Sequence, residues 1–336
     1  IDKGEFFVVF GPSGSGKTVL LRLLSGIMLL DDGKIEMGSE VINELQPEER
    51  DISMAFQNFA LYPHMKAYDN IASPLRANKN RIPDDEIDLK VREVASLLKI
   101  EHVLNQFPKE LSNGQKQRTS LARSLISKPS VVLLDDPLRN VDAKIRFEMR
   151  LELPKVLKEF NTTVVYVTQD FREAMALGDR IAVLYERKCN DIDSPKKIYQ
   201  NPSSLTTAQL FGDPTINNFD ANIKKQNEFV VINVNGEQFK LKRKTNIQDG
   251  DCIVGIRPED IILSNEPSEN SIEVEFRTKT PLNLRIVFLV RLKNGLELLC
   301  STTEEESQLI DENKKMYISF LEEKSHFFDL ETKRNL

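Results

Sequence analysis

Residues 11 to 18 read Gly11-Pro12-Ser13-Gly14-Ser15-Gly16-Lys17-Thr18, which fits the pattern G-x-x-x-x-G-K-[ST]. Residues of these types at this spacing can hold a polyphosphate. The glycines let the backbone curl until consecutive amides point at a β-phosphate, and the positive end of a following helix adds to the field. Lys17 neutralises β and γ oxygens, and the Thr18 hydroxyl is expected to bind a Mg²⁺ ion bridging the same phosphates. A chance match in a chain of this length arises roughly once in a hundred, so the segment is read as a nucleotide site and not as a glycine-rich turn. A second piece of chemistry lies at Val131-Val132-Leu133-Leu134-Asp135-Asp136, an apolar strand ending in two carboxylates. That pattern sets an acid at the carboxyl edge of a sheet, where Asp135 would hold Mg²⁺ through water. Alone, such a strand end is ordinary; beside a phosphate loop it gains meaning.

Between these two motifs stands Leu111-Ser112-Asn113-Gly114-Gln115, opening a helix that continues Lys-Gln-Arg-Thr-Ser-Leu-Ala-Arg. The pentapeptide resembles the signature of the ABC ATPases, usually LSGGQ. In that family it binds the γ-phosphate of ATP held by the opposite subunit, through a helix N-terminus and a serine hydroxyl, which Ser112, Asn113, Gly114 and Gln115 would supply here in trans. The resemblance extends in order along the chain. Gln57 matches the Q-loop glutamine, a Mg²⁺ and water ligand that senses the permease, and Asp142 in Leu138-Arg139-Asn140-Val141-Asp142 matches the D-loop. Phe56-Gln57-Asn58-Phe59-Ala60-Leu61-Tyr62-Pro63-His64-Met65, Tyr68-Asp69-Asn70-Ile71 and Ala174-Met175-Ala176-Leu177 look like the ATPases of carbohydrate importers of the maltose type. Gly255-Ile256-Arg257-Pro258-Glu259-Asp260 and Phe327-Phe328-Asp329-Leu330-Glu331-Thr332 look like the OB-type regulatory domain that follows those ATPases.

The resemblance implies an ATP-binding motor subunit that uses ATP and Mg²⁺ and pairs with a second ATP-binding subunit. It would dock on integral membrane permease subunits near Tyr62, Pro63, His64 and Met65, at the cytoplasmic face of the cell membrane. The solute would be a sugar or related carbohydrate, although polyamine, iron or sulfate importers have similar motors. Two departures fall on the hydrolytic centre. Asp136 stands where the family has the glutamate that orients and deprotonates the attacking water, one methylene shorter. In Tyr166-Val167-Thr168-Gln169-Asp170 the switch histidine is replaced by Gln169, which donates a hydrogen bond but carries neither proton nor charge. Water placement tolerates errors of only about an ångström, so hydrolysis is expected to be slow, or the chain to be a degenerate half pairing with a complete paralogue. Asn113 replaces a signature glycine, where a side chain could crowd the partner's ATP. A soluble ABC ATPase of DNA repair or translation would share the motifs, but its long coiled-coil insertions or tandem cassettes are not found. The aromatic that stacks adenine in the family lies upstream of the loop, on a strand this sequence is expected to lack, since only ten residues precede Gly11.

The elements that must position these groups alternate. Compact apolar runs at Phe6 to Phe10, Ile52 to Phe56, Val131 to Asp135, Thr163 to Thr168 and Arg180 to Tyr185 read as strands buried on both faces of a parallel sheet. Helices are expected over Asp84 to Lys99, Asn113 to Ser127 with Ser112 as N-cap, and Ala143 to Phe160, the last kinked at Pro154. Residues 1–212 should thus form an α/β P-loop domain with a helical subdomain at about 58–130. Turn chemistry from Phe211 to Asn218 marks a boundary. Beyond it, residues 213–336 should form an antiparallel all-β domain. Its strands are read at Phe229 to Val234, Gln238 to Leu241, Cys252 to Ile256, Ile272 to Phe276, Arg285 to Leu292, Leu296 to Cys300 and Met316 to Phe320. Asn235-Gly236 and Asn294-Gly295 are its hairpin turns.

Composition narrows the alternatives. The chain has 336 residues, 40% hydrophobic and 29% charged, and a net charge of −6. That is a folded chain of about two domains, without the basic footprint of a nucleic-acid binder. Cys189, Cys252 and Cys300 are unpaired in spacing and are read as small buried hydrophobes. The most apolar run, Val19 to Leu30, is too short to span a bilayer, and no signal-peptide pattern opens the sequence. Phe6 and Phe7 should fill the core, and His102 and His326 should be structural or exposed.

Overall fold

In a computed structural model of the chain, the phosphate-loop segment leaves a strand set well inside a parallel sheet. The structure describes residues 1–77, 82–226, 229–234, 236–242, 248–268, 270–282, 284–321 and 324–336, with the backbone alone at 229, 241 and 242. Two compact units divide it, Ile1–Pro195 and Lys196–Leu336.

In the first unit the sheet order is Ile52–Ala55, Val131–Asp135, Thr163–Thr168, Phe6–Phe10, Arg180–Tyr185 and Lys188–Asp193. The first five run parallel; the last, which the apolar-run pattern does not predict, pairs antiparallel. Phe6–Phe10 is buried at every residue, as apolar strands covered on both faces must be. Helix Lys17–Leu24 lays Leu21 into a cluster with Phe7, Val9, Leu133, Val165, Val167 and Ala182. Burying a leucine this way contributes about 1.5–3 kcal/mol.

The helix is anchored at its far end by Arg50, which is 2% exposed. Its guanidinium donates to the carbonyls of Leu23 and Leu24 at 2.9 and 3.0 Å and to those of Leu45 and Asn43 at 3.0 Å each. A cation on the last carbonyls of a helix satisfies groups that have no partner within it and complements the helix dipole.

Helices Ala67–Ala77, Asp84–Leu97 and Asn113–Leu125 form the helical part. Three expected helices stop short, at Leu97, Leu125 and Glu159 in place of Lys99, Ser127 and Phe160. Each is followed by a residue with left-handed backbone, Lys99, Lys128 and Asn161, which closes the last turn. Helix Ala143–Glu159 continues on both sides of Pro154. The first strand of the sheet ends at Ala55 and not Phe56, because the Phe59 amide already bonds the Phe56 carbonyl in a turn. Among the described residues no helix is long and apolar enough to cross a membrane.

The second unit is built on two antiparallel five-stranded sheets. One has the order Glu237–Lys242, Phe229–Val234, Asn217–Gln226, Gly250–Ile256 and His326–Phe328; the other Ile261–Ser264, Met316–Phe320, Ile272–Leu282, Arg285–Arg291 and Glu297–Thr303. Several strands outrun their expected limits, the longest by running on to Leu282 through a bulge at Phe276/Thr278. Asn217, read from sequence as turn chemistry, is a buried strand residue that joins the sheets. Its amide donates to the Ile256 and Leu299 carbonyls at 3.2 and 2.9 Å and accepts from the Leu299 amide at 2.8 Å. Gly295 makes its hairpin with φ 90°; Asn235 of the other expected turn lies outside the described residues.

The Ile256-Arg257-Pro258-Glu259 stretch is structural. Arg257 donates to the carbonyls of Phe211 and Tyr199 and stacks 3.6 Å from the Tyr199 ring centroid, while the Tyr199 hydroxyl donates to Glu259. Phe327 and Phe328 are fully buried and His326 nearly so, whereas His102 is exposed. Cys252 and Cys300 are buried, but Cys189 is exposed on the antiparallel edge strand, contrary to the reading of all three as core.

Replacing Arg50 by alanine removes its bonds to the carbonyls of Leu23, Leu24, Leu45 and Asn43, leaving Leu23 O to the Gly26 amide and taking from Leu24 O its guanidinium donor. We expect a loss of about 3 kcal/mol, measurable as a lower midpoint in urea with unchanged slope.

Candidate nucleotide site

The register of three adjacent strands assembles the site. Phe10 lies opposite Thr168, and Asp135 opposite Val167. The strands are parallel, so their C-terminal ends lie at one edge and deliver three groups there: the phosphate loop after Phe10, Gln169 after Thr168, Asp136 after Asp135. Gln57 comes just after the neighbouring strand Ile52–Ala55. Ser13, Gly14, Gly16, Lys17 and Thr18 share a cavity of about 310 Å³ with Gln57, Asp135, Asp136 and Gln169.

Within the loop, Gly14 and Gly16 hold φ of 81° and 102°, which favour glycine. At Gly11 a Cβ would come 2.1 Å from the Leu184 carbonyl oxygen, so the backbone has to pass bare. Gly16 offers no side chain to cap the helix start, leaving first-turn N–H groups without a side-chain acceptor. Lys17 is 9% exposed. Its ammonium donates to the Gly11 and Pro12 carbonyls at 2.8 Å each and to Ser15 Oγ at 3.4 Å. Pro12 and Ser15 thus act on the site through the lysine.

Beside the loop, Thr18 Oγ1 donates to Asp135 Oδ1 at 3.2 Å. Asp136 sits in left-handed backbone at φ 45°, with its amide bonded to the Val167 carbonyl at 2.9 Å. A non-glycine residue in that region is strained, and the bond to the next strand holds it there. Gln169 Nε2 donates to Asp136 Oδ2 at 3.2 Å, and Arg139 lies 3.8 Å from the same oxygen. Burial pushes the carboxyls of Asp135 and Asp136 above the ordinary range and Lys17 below it; for Lys17 the two acids pull the other way.

The signature and D-loop residues stand apart from this cavity. Ser112 and Gln115 form a reciprocal cap: Gln115 N donates to Ser112 Oγ at 3.3 Å and Ser112 N to Gln115 Oε1 at 2.8 Å. Asp142 caps the next helix by accepting from the Ile145 amide at 3.1 Å. The two helix starts adjoin, because a Cβ on Gly114 would meet Ile145 Cγ2 at 3.0 Å. Asn113 is exposed. Pro63 and His64 are exposed as well, in a turn organised by the buried Asn70, whose amide donates to the Tyr62, Met65 and Lys66 carbonyls.

Sequence reasoning missed Arg139, although its spacing of three from Asp136 is a pairing signal. It also missed Ser120 and Arg123 on the signature helix. Phe59 and Ala60, just after Gln57, have left-handed φ of 64° and 47°. Ser120 Oγ donates to the Phe59 carbonyl at 2.8 Å, and Arg123 donates to the carbonyls of Ala60 and Phe59 at 2.7 and 3.2 Å. The segment following Gln57 is therefore clamped to the signature helix.

A phosphate loop between a parallel strand and a helix, with acids at the neighbouring strand end, defines a P-loop nucleoside triphosphatase. The family described as ABC transporter matches residues 1–139. The trehalose/maltose import ATP-binding protein MalK of Thermococcus litoralis is 37% identical over 99% of this chain and 92% of its own length. The xylose/arabinose import ATP-binding protein XacK of Haloferax volcanii is 36% identical over 99% and 87%. Among solved structures, cbiO1 from Clostridium perfringens, part of the ABC transporter complex cbiONQ, superposes with a TM-score of 0.55. It shares 26% identity, over 60% of this chain and 81% of that one. A dimeric ATP-binding cassette in a post-hydrolysis state with ADP and Pi gives a TM-score of 0.52 at 30% identity, over 58% and 87%. The chain belongs to the ABC transporter family, among its import ATP-binding proteins, and is an ABC-type ATPase.

Arg123→Ala removes two bonds that hold strained backbone. We expect it to cost about 2 kcal/mol and to accelerate hydrogen exchange selectively at residues 57–62, as followed by mass spectrometry.

Proposed function

We propose that this chain is the ATP-binding motor subunit of an ABC importer for a sugar or related carbohydrate, and that it hydrolyses ATP slowly. It works with a second ATP-binding subunit and with membrane permease subunits that dock near Tyr62, Pro63, His64 and Met65, which makes it peripheral to the membrane. Residues 213–336 are its regulatory portion. The observation that carries the reading is the gathering of Lys17, Thr18, Asp135, Asp136, Gln57 and Gln169 around one cavity at the carboxyl edge of the sheet. Similarity over nearly the full length to import ATP-binding proteins supports the coupling to uptake.

Lys17 and the loop amides hold the β and γ phosphates, and Asp136 takes the proton of the attacking water. Thr18 Oγ1 and Asp135 Oδ1, 3.2 Å apart, are oxygen donors that fit a hard divalent cation, with Gln57 on the same wall. Among the described residues no cluster of three or more His, Cys, Asp or Glu could hold a metal alone. Mg²⁺ binds through one or two protein oxygens plus phosphates and water. Bound there, Mg²⁺ would offset phosphate charge. Gln169 spends a donor on the Asp136 carboxylate, orienting the base while lending no positive charge.

The meeting of both replacements, Asp136 for a glutamate and Gln169 for a histidine, in one site also supports a second reading, a degenerate half that binds ATP and relies on a complete paralogue for hydrolysis. Single-turnover hydrolysis by the purified full chain separates the two. As a motor, the unaltered chain turns over measurably, Asp136→Asn lowers the rate at least a hundredfold, and Asp136→Glu combined with Gln169→His raises it at least about tenfold. Turnover at the level of the Asp136→Asn variant would favour the degenerate half.

A further inference from the structure

The cavity wall carries a cation for which the phosphate-loop motif has no place. Arg139, in the turn between the strand-end acids and Asp142, lines the cavity with Lys17, Asp136 and Gln169. Its side chain is half exposed, that of Asp136 only 10% exposed, and a single long contact of 3.8 Å joins them. Among the described residues Asp136 is the one close partner of this guanidinium.

The charges on this wall are two carboxylates, Asp135 and Asp136, and two cations, Lys17 and Arg139. A nucleoside triphosphate adds several negative charges, and its last phosphoryl group would come to the end of the cavity where Asp136, Gln57 and Gln169 stand. Gln169 donates a hydrogen bond but no charge. Lys17 is one ammonium shared between the β and γ oxygens, and it also bonds the Gly11 and Pro12 carbonyls at 2.8 Å. Arg139 is different: long, pivoting from the turn, and loosely engaged. A guanidinium presents a planar fork of donors that suits phosphate oxygens, and such charge-assisted bonds are about twice as strong as neutral ones.

We propose that Arg139 is a phosphate-binding residue of this site, exchanging its long contact with Asp136 for the terminal phosphoryl group of a bound nucleoside triphosphate. The positive charge that Gln169 cannot supply then comes from the turn following the acids, and the exchange releases the Asp136 carboxylate towards water. Arg139 thereby makes the site discriminate triphosphate from diphosphate. The proposal rests on the reading of this cavity as the ATP site.

Calorimetric titration of the full chain with Mg²⁺ and either ADP or a non-hydrolysable ATP analogue tests it. Arg139→Gln should weaken the analogue about tenfold, the worth of one charge-assisted bond, while changing ADP affinity less than about twofold. Arg139→Lys, which keeps the charge but loses the planar fork, should bind the analogue more tightly than Arg139→Gln and more weakly than the unaltered chain, again with ADP affinity changed less than about twofold. ADP binding serves as the control for folding. Equal losses for both nucleotides, or no loss for either, would overturn the role of Arg139 and leave the ATP site standing. Failure of the unaltered chain to bind either nucleotide would overturn the ATP reading itself, and this one with it.

Discussion

Everything at the candidate site depends on the parallel register of three strands. Backbone bonding sets Phe10 beside Thr168 and Val167 beside Asp135, so a phosphate loop and, more than a hundred residues further along the chain, an acid and an amide side chain end at one edge. Neighbouring strands lie about 4.8 Å apart, a spacing that brings Gln169 within 3.2 Å of Asp136, while Thr18, on the helix that follows Phe6–Phe10, reaches Asp135 two strands away at 3.2 Å. A slip of one residue would turn every side chain of a strand to the opposite face. The apolar cluster around Leu21 resists that slip, since it packs the phosphate-loop helix on the same strands.

Such an edge concentrates buried charge. Lys17, Asp135 and Asp136 are each less than a tenth exposed, and burial moves their protonation equilibria toward the neutral forms. Sites where burial and specific charge partners act together are where binding and catalysis concentrate. The fold offsets the cost locally. Lys17 bonds two loop carbonyls, Asp135 a hydroxyl, and Asp136 an amide, while the strain of left-handed backbone at Asp136 is held by a bond to the adjacent strand. Around this rigid edge the segment after Gln57 is tied to the signature helix by Ser120 and Arg123. A displacement of that segment is therefore felt by the helix carrying Ser112 and Gln115.

The buried parallel strands were legible because strands covered on both faces read as unbroken apolar runs, and the phosphate loop because its chemistry is local. The strands that escaped are those whose stability is tertiary. Asn217–Gln226 buries Phe219, Ala221 and Ile223 at period two, but the aspartate and asparagine between them and the lysines that follow mask the alternation, and Asn217 itself looks like a turn residue until Leu299 is beside it. Lys188–Asp193 is a polar edge strand with no hydrophobic face of its own, and Cys189 lies exposed on it. Helix Ala67–Ala77 contains Pro74, a breaker by sequence that the fold accommodates. Arg50, Arg123 and Arg139 resemble any surface arginine in a sequence; only the carbonyls or the acid they meet in space set them apart.

Binding of nucleotide phosphates in this cavity is tested most directly by titrating MgATP into the full chain and into its Lys17→Ala variant, with the fold of each checked by circular dichroism. A lysine that neutralises β and γ oxygens predicts saturable binding by the unaltered chain and a weakening of at least about tenfold in the variant. Equal affinity in the two proteins would contradict it.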